Sequence, residues 1–181
     1  MTRCHILTAT VLGVAGIAAA SAVDWPTKLV WNATASAPIG FYTVAPPDPL
    51  EVPDLLVVRP PRRFARFMVK RGYIGRGVPL LKRVLGLPGQ RVCRVESTIT
   101  VDGITMGTAL NRDRMGRDLP VWQGCRVLRD GELFVMNWNV PDSLDGRYFG
   151  PTPASSVVGR AVPLWTDEDG NGHFEWRAPT Q

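Results

Sequence analysis

Lys82 lies within the apolar segment 79–86, "PLLKRVLG", where a charged side chain is unusual. In a strand, alternate residues share a face, so Lys82 faces the same way as Val84 while Arg83 faces the other way. Burial among apolar side chains lowers the pKa of a lysine from about 10.4 towards neutrality. A neutral amine can then act as the base that activates a serine hydroxyl. The alternative is an ordinary strand lysine, whose stem covers apolar surface while its ammonium stays in water.

Two further segments supply groups that could work with such an amine. The segment "TASAPIGFY" contains Ser36, and "PDSLDGRYFGP" contains Ser143, Asp145 and Arg147. Taken singly, Ser36 is typical of a loop and Ser143 of a turn. An Asp145–Arg147 pair on a surface contributes under about 1 kcal/mol. The combination of the segments, rather than any one residue, therefore supports serine–lysine chemistry.

Histidine-based catalysis and metal binding have little support. The two histidines, His5 and His173, lie near opposite ends of the chain. From Asp167 onwards, "DEDGNGHFE" has the spacing of a calcium loop, but its twelfth position is Ala178, where a bidentate glutamate is required. A polar turn is the better interpretation. We expect neither a metal nor a cofactor.

An apolar segment precedes the serine. Residues 6–23, "ILTATVLGVAGIAAASAV", carry no charge and reach the lower limit for crossing a bilayer as a helix. Because Arg3 precedes this segment, the N-terminus is expected in the cytoplasm and the rest is expected to be exported. The triplet Ala20–Ala22 also resembles a secretory cleavage site, so a retained anchor and a cleaved signal both stay open. We predict an anchor or signal-like segment, 1–23, and an exported domain, 24–181.

Export changes the interpretation of the cysteines in that domain. In an oxidising compartment, Cys93 and Cys125 are candidates for a disulfide, with two unpaired buried thiols as the alternative. In the chain-entropy model, closing a loop of about 30 residues contributes about 3–4 kcal/mol to stability.

Basic residues are concentrated in the segment 57–77, "VVRPPRRFARFMVKRGYIGRG". The net charge of +5 is modest, and no nucleic-acid-binding motif accompanies the segment. We interpret it as a solvated, membrane-facing loop and expect no nucleic-acid partner.

The remainder of the chain is typical of short strands. Hydrophobic residues make up 45% of the 181 residues, and 16 prolines and 18 glycines favour many short strands over long helices. The clearest hairpin is 98–106, "TITVDGITM", with a two-residue turn at Asp102-Gly103. Only "PRRFARFMVKRG" is compatible with a short helix. The sequence predicts one mostly β, antiparallel domain.

Three motifs carry a resemblance to a known family. They are Ser-x-Pro-x-Gly-x-Tyr at Ser36–Tyr42, Lys-Arg-x-x-Gly-x-Pro-Gly at Lys82–Gly89, and Asp-x-Arg-Tyr-Phe-Gly-Pro at Asp145–Pro151. In this order, behind an apolar segment, they resemble the type I signal peptidases and, among these, the TraF-type peptidases of conjugative plasmid transfer. The resemblance extends to about Gly159. It implies a signal-peptidase-like antiparallel β catalytic domain behind one N-terminal transmembrane helix.

The family's residue roles transfer to matching positions. By this resemblance, Ser36 is the nucleophile, and Lys82 is the general base that later returns the proton to the leaving amine. The resemblance also implies four supporting residues: Thr34, whose hydroxyl stabilises the oxyanion together with the Ser36 backbone N–H; Ser143, which orients the lysine; and Asp145 and Arg147, which form an ion pair.

The sequence also departs from the general signal peptidases. Ala37 follows the serine where they usually have methionine, and Gln90 replaces an acidic residue after the lysine motif. Their Gly-Asp-Asn segment is replaced by "NWNVPDS", and the middle of the chain leaves little room for a large inserted β domain. These departures favour the TraF-like interpretation.

The sequence therefore predicts a membrane-attached serine endopeptidase of the bacterial inner membrane, with its catalytic domain on the periplasmic side. It would mature a pilin precursor for conjugative transfer, with the substrate bound as an added strand. Cleavage by hydrolysis and head-to-tail cyclisation share an acyl-enzyme, so both stay open. Two alternatives also stay open: a general signal peptidase that removes leader peptides, and a non-catalytic envelope component of a transfer apparatus. We expect two partners. One is a precursor protein, which is either a pilin or a protein that carries a signal peptide, and the other is membrane lipid.

Overall fold

The structure is a computed structural model that describes residues 3–21 and 27–179. Its helices are α1 (Arg3–Ser21), α2 (Arg62–Lys70) and α3 (Gly146–Phe149), with a 3-10 turn at Ala154–Ser156. Its strands are β1 (Leu29–Asn32), β2 (Ile39–Ala45), β3 (Leu55–Val58), β4 (Leu80–Gly86), β5 (Arg91–Val95), β6 (Thr98–Val101), β7 (Ile104–Thr108), β8 (Gly124–Val127), β9 (Glu132–Val135), β10 (Thr152–Pro153), β11 (Val157–Asp167) and β12 (Glu175–Trp176).

These strands form two antiparallel sheets. The larger has the order β1-β2-β11-β3-β4-β9-β10, with β12 paired to β11, and the smaller has the order β7-β6-β5-β8. The mostly β, antiparallel architecture predicted from the sequence is thereby confirmed. Strand β4, which carries Lys82, lies between β3 and β9 in the larger sheet.

Apolar packing covers both faces of the β3–β4 pair. Strand β3 is buried along its whole length, and Leu56 lies directly opposite Lys82 in the register. Lys82 therefore points to the face that β3 and β9 fill with aliphatic side chains. This face contains the core cluster Leu56, Val58, Val84, Leu133 and Val135. The opposite face contains Val30, Tyr42, Leu55, Val57, Leu81 and Ala161.

Strands β1 and β2 form a hairpin whose connecting loop, 33–38, contains Ser36. At the start of β2 the backbone packs directly against β11. A Cβ atom on Gly40 would lie 2.2 Å from the carbonyl oxygen of Trp165, and the φ angle of Gly40 is 150°. Only glycine permits this close approach, so the base of the serine-bearing hairpin is fixed against β11.

Several local predictions are confirmed. Asp102 and Gly103 have φ angles of 49° and 81°, as a tight two-residue turn between β6 and β7 requires. The interpretation of the basic segment as a loop is wrong for residues 62–70, which form helix α2 within the one stretch that was compatible with a short helix. The acidic segment near the C-terminus forms the turn from β11 to β12. There the Asp167 carboxylate accepts hydrogen bonds from the backbone N–H groups of Asn171 and Gly172.

Helix α1 covers most of the N-terminal segment predicted to attach or target the chain. Among residues 3–21 and 27–179, no helix combines the length and apolar character needed to cross a membrane. The predicted transmembrane helix is therefore not confirmed. Ala22 and Val23, at the end of the predicted segment 1–23, lie outside the described residues, and the division at residue 24 stays a prediction.

Candidate active site

Lys82 is buried in β4, with 3% of its surface exposed. Its Nζ donates a hydrogen bond to Ser143 Oγ at 2.7 Å. Burial lowers the pKa of Lys82 to about 8, an effect that the Asp145 carboxylate opposes and the Arg147 guanidinium reinforces. At pH 7 about one such amine in ten is neutral, against a few in ten thousand for a free lysine.

Ser36 lies in loop 33–38, and Asn32 organises the backbone of that loop. The Asn32 amide nitrogen donates to the carbonyl oxygens of Thr34, Ala37 and Pro38, at 2.8, 2.9 and 3.0 Å. Since Asn32 is the last residue of β1 and is itself buried, these bonds connect the loop to the sheet. Asn32 thus bonds the backbone on both sides of Ser36.

Thr34 lies beside Ser36, as the sequence comparison implied. The two hydroxyl oxygens are 3.2 Å apart, and the Thr34 hydroxyl also donates to Asn32 Oδ1 at 3.0 Å. Its own proton is thus directed at Asn32, so Thr34 Oγ1 accepts from Ser36 in this arrangement. The role of Thr34 in stabilising an oxyanion stays a prediction.

Ser36, Lys82, Ser143 and Thr34 all line one cavity of about 530 Å³. Within residues 27–179, Lys82 bonds Ser143 and Ser36 bonds Thr34 through their side chains. The Ser36 hydroxyl and the Lys82 amine do not bond each other directly. The structure therefore brings the sequence-predicted serine and lysine to the same cavity, each already partnered by a hydroxyl.

Asp145 and Arg147 form a fully buried ion pair below this cavity. Arg147 Nη2 lies 2.8 Å from Asp145 Oδ2, and the Arg147 Nε–H donates to Asp145 Oδ1 at 2.9 Å. The guanidinium also donates to four backbone carbonyl groups, which between them span the loop that carries Ser143. These are the carbonyl groups of Asn137, Val140, Pro141 and Ser143.

Asn137 is a residue of this site that sequence reasoning missed. Its side-chain amide donates to the Ser36 carbonyl oxygen and to the Leu81 carbonyl oxygen, and it accepts from the Arg83 backbone N–H. The segment "NWNVPDS" gave no indication of this beyond its departure from the pattern of the general signal peptidases.

The sequence analysis also missed the outer wall of the cavity, residues 110–119, which we call the 110–119 segment. The Tyr73 hydroxyl donates to the Asp113 carboxylate, which also forms an ion pair with Arg117 at 2.7 Å. Burial opposes ionisation of Asp113, but the hydrogen bonds from Tyr73 and Arg117 outweigh it and lower the pKa of that carboxyl. An ion pair between Arg114 and Asp142, at 2.5 Å, joins the segment to the loop of Ser143.

Cys93 and Cys125 lie opposite each other on β5 and β8 and are joined by a disulfide, with an S–S distance of 2.06 Å. The neighbouring Arg94 is buried and donates to the Arg147 carbonyl oxygen at 2.6 Å. The smaller sheet therefore contacts the backbone of α3, next to the buried ion pair. In the described part of the chain, no group of histidine, cysteine, aspartate and glutamate side chains has the arrangement of a metal site.

Comparison with known proteins gives matches over most of the chain. The family described as "Signal peptidase, peptidase S26" matches residues 1–165. The conjugal transfer protein TraF of Agrobacterium fabrum is 37% identical over 145 residues, which cover 75% of this chain and 81% of that protein. The plasmid transfer protein TraF of Escherichia coli is 32% identical over 146 residues, covering 74% and 82%. A solved signal peptidase I from Enterococcus faecalis has a TM-score of 0.39 and 22% identity, covering 64% of this chain and 98% of that chain.

Proposed function

Because the chain belongs to the signal peptidase family, peptidase S26, we propose that it is a serine endopeptidase with Ser36 as nucleophile and Lys82 as general base. The observation that carries this proposal is the buried Lys82 amine, with a pKa near 8, in the same cavity as the Ser36 hydroxyl. Lys82 is hydrogen-bonded to a hydroxyl rather than to a carboxylate, and nearby carboxylates offset only part of the cost of burying its charge. This arrangement is unusual for a lysine in a purely structural role.

The proposed reaction begins with the neutral amine. Lys82 Nζ takes the proton of Ser36 Oγ as that oxygen attacks the carbonyl carbon of the scissile peptide. The resulting ammonium gives the proton to the leaving amine, and the C–N bond breaks to leave an ester on Ser36. A water molecule, or the amine of the substrate's other end, then attacks the ester carbonyl and gives a proton to Lys82. The ester C–O bond breaks, and Lys82 returns this proton to Ser36 Oγ, which restores the hydroxyl and the neutral amine. Ser143 directs the amine during both halves, since it accepts a hydrogen bond from Nζ.

Two donors near Ser36 suit the negative charge that develops on the substrate oxygen. The Ser36 backbone N–H is one, and the Thr34 hydroxyl, 3.2 Å from Ser36 Oγ, is the other. The Thr34 hydroxyl would first turn away from Asn32 Oδ1. A single donor of this kind typically contributes about 3–4 kcal/mol to transition-state stabilisation.

The names of the relatives support a role in conjugal transfer, and the pilin substrate is our proposal from the resemblance of the sequence motifs. The TraF proteins at 37% and 32% identity are named for conjugal and plasmid transfer, so we assign this chain to the same process, with a pilin precursor as substrate. A membrane-attached enzyme with its catalytic domain in the periplasm suits a membrane-inserted precursor. The disulfide supports this location, because such bonds persist in the oxidising periplasm.

Mass spectrometry of the pilin from cells that carry the transfer genes tests the proposal. We expect mature pilin with the wild-type chain and only precursor with Ser36→Ala or Lys82→Ala, a loss on the order of a thousand-fold or more. Its mass also separates the two end products, since a cyclic pilin is lighter than the linear one by one water. Ser97→Ala and Lys70→Ala are matched controls outside the cavity, and we expect normal processing with both.

Two outcomes would redirect the proposal. Normal pilin processing in the Ser36 and Lys82 variants would favour a non-catalytic envelope component. Rescue of cells depleted of their own leader peptidase would favour a general signal peptidase.

A further inference from the structure

We propose that Asn137 is a positioning residue that sets the separation between the Ser36 hydroxyl and the Lys82 amine. This inference rests on the function proposed above. Neither reactive group bonds the other directly, so some other contact must fix their relative position. The side chain of Asn137 contacts the backbone next to both.

Asn137 is 2% exposed, and both its amide nitrogen and its amide oxygen bond to backbone groups. Nδ2 donates to the carbonyl oxygen of Ser36 and, at 3.1 Å, to that of Leu81. Oδ1 accepts from the Arg83 N–H at 3.0 Å. Since Leu81 and Arg83 flank Lys82, one amide joins the serine's own peptide group to both neighbours of the lysine.

The sheet itself does not make this connection. In the strand order, β11 and β3 lie between β2, which follows the serine loop, and β4, which carries the lysine. Among the residues that the structure describes, Asn137 provides the hydrogen bond that joins loop 33–38 to groups outside its own hairpin. Without it, a small change in sheet twist would alter the distance between Ser36 Oγ and Lys82 Nζ.

The backbone of Asn137 is fixed by the buried ion pair. Its N–H donates to Asp145 Oδ2 at 3.1 Å, and its carbonyl oxygen accepts from Arg147 at 3.2 Å. The same guanidinium donates to the Ser143 carbonyl oxygen. The ion pair therefore acts on the reactive groups along two routes, through Asn137 to the serine and through Ser143 to the lysine.

The test uses the full chain in detergent and two variants, Asn137→Ala and Asn137→Asp. Aspartate has the same shape and still accepts from the Arg83 N–H, but its ionised carboxylate cannot donate to either carbonyl. The substrate is a fluorogenic peptide that spans the pilin cut site identified by the mass spectrometry described above. Active sites are counted with a p-nitrophenyl ester of the same acyl segment. Acylation of the serine releases one p-nitrophenolate per active site, so the size of this initial burst gives the concentration of active sites.

We expect kcat per counted site to fall on the order of 100-fold in both variants, as for a misplacement of about 1 Å. KM is expected to stay near its wild-type value, because the cavity lining is unchanged. In Asn137→Ala, the rise of kcat/KM with pH should keep its midpoint near the Lys82 pKa of about 8. Gln123→Ala is the control, because the Gln123 amide also bonds backbone on both sides, at Glu96 N–H and C=O, but in the smaller sheet. We expect it to lower stability and leave kcat per site unchanged.

The remaining outcomes separate a failure of the inference about Asn137 from a failure of the proposed function. Wild-type kcat per site in the Asn137 variants, with only the melting temperature lowered, would make Asn137 a structural residue and overturn the inference. Failure of both variants to give a folded chain would do the same. Absence of cleavage and of a burst in the wild type, as in Ser36→Ala, would instead refute the proposed function itself.

Discussion

The cavity has two walls: the inner wall, by which we mean Lys82, Ser143 and the buried Asp145–Arg147 pair that holds the Ser143 loop, and the outer wall, the 110–119 segment. Ion pairs hold both walls, and the Asp145–Arg147 and Arg112–Asp118 pairs differ most in burial. On the inner wall, Arg147 and Asp145 pair at 2.8 Å with side chains 1% and 0% exposed. In the 110–119 segment, Arg112 and Asp118 pair at 3.1 Å with side chains 68% and 83% exposed. Water screens the second pair and not the first, so chemically identical contacts differ in energetic weight.

This difference in burial indicates that the inner wall positions the proposed reactive groups, whereas the outer wall shapes the entrance of the cavity. The buried pair is bonded to the backbone on which Asn137 and Ser143 depend, so its loss would displace groups next to both reactive atoms. Of the exposed pairs, Arg112–Asp118 lies within the 110–119 segment and Arg114–Asp142 joins that segment to the loop of Ser143. Neither pair bonds the backbone of Asn137 or of Ser143, so we expect their loss to leave those two groups in place. Three variants can break or sharpen this distinction.

The largest effect is expected for Arg147→Ala. Removal of the guanidinium leaves the Asp145 carboxylate buried without its charged partner and takes one donor from each of four backbone carbonyl groups. We expect the free energy of unfolding to fall by about 3–5 kcal/mol, measured by chemical denaturation. Arg112→Ala is the matched control and should change it by under about 1 kcal/mol. Equal effects of the two variants would contradict the distinction between the walls.

The second effect concerns the charge of Lys82. Its pKa is near 8 in the folded chain and 10.5 in the unfolded reference, so between these values the unfolded chain binds more protons and stability rises with pH. Lys82→Met lacks this dependence. At pH 7 we expect the variant to be more stable than the wild type by about 3 kcal/mol, with the gap closing above pH 10.

If Lys82 is the proposed base, the same titration sets the pH dependence of the rate. The base must be neutral, so kcat/KM of the wild type should rise about tenfold per pH unit below 8 and level off above it. A rate that is flat from pH 5 to 10 would remove Lys82 from the role of base. A stability curve that is parallel in wild type and Lys82→Met would show that the amine is not desolvated.

The smallest effect is expected for Arg114→Ala. The Arg114–Asp142 pair is 86% and 34% exposed and joins the 110–119 segment to the loop of Ser143. We expect stability to change by under about 1 kcal/mol and KM to rise while kcat stays constant, because the outer wall loses an attachment. High salt should weaken substrate binding by the wild type in the same direction. A fall in kcat would instead assign the segment a part in the chemistry.

Local patterns predicted much of this molecule. The Asp102-Gly103 turn and helix α2 depend on neighbours in sequence, and so does the face on which Lys82 lies. The resemblance added the serine and its partners, which lie far apart in the chain and share no local signal.

What the sequence could not predict depends on contacts formed only after folding. The Asn137–Ser36 bond joins residues 101 positions apart, and an asparagine in a turn-like segment is usually a solvated residue. The outer wall is similar: Tyr73 meets Asp113 across 40 positions because α2 ends beside the 110–119 segment. Neither pairing leaves a periodicity or spacing in the sequence.

The position of the serine loop depends on Gly40 having no side chain. The space that a methyl group would need there is already occupied by the Trp165 carbonyl group. The sequence of this protein is therefore constrained at a position that carries no reactive group. Natural variation at position 40 would be removed through backbone collision rather than lost chemistry, and a tolerated change would require a second, compensating change in β11.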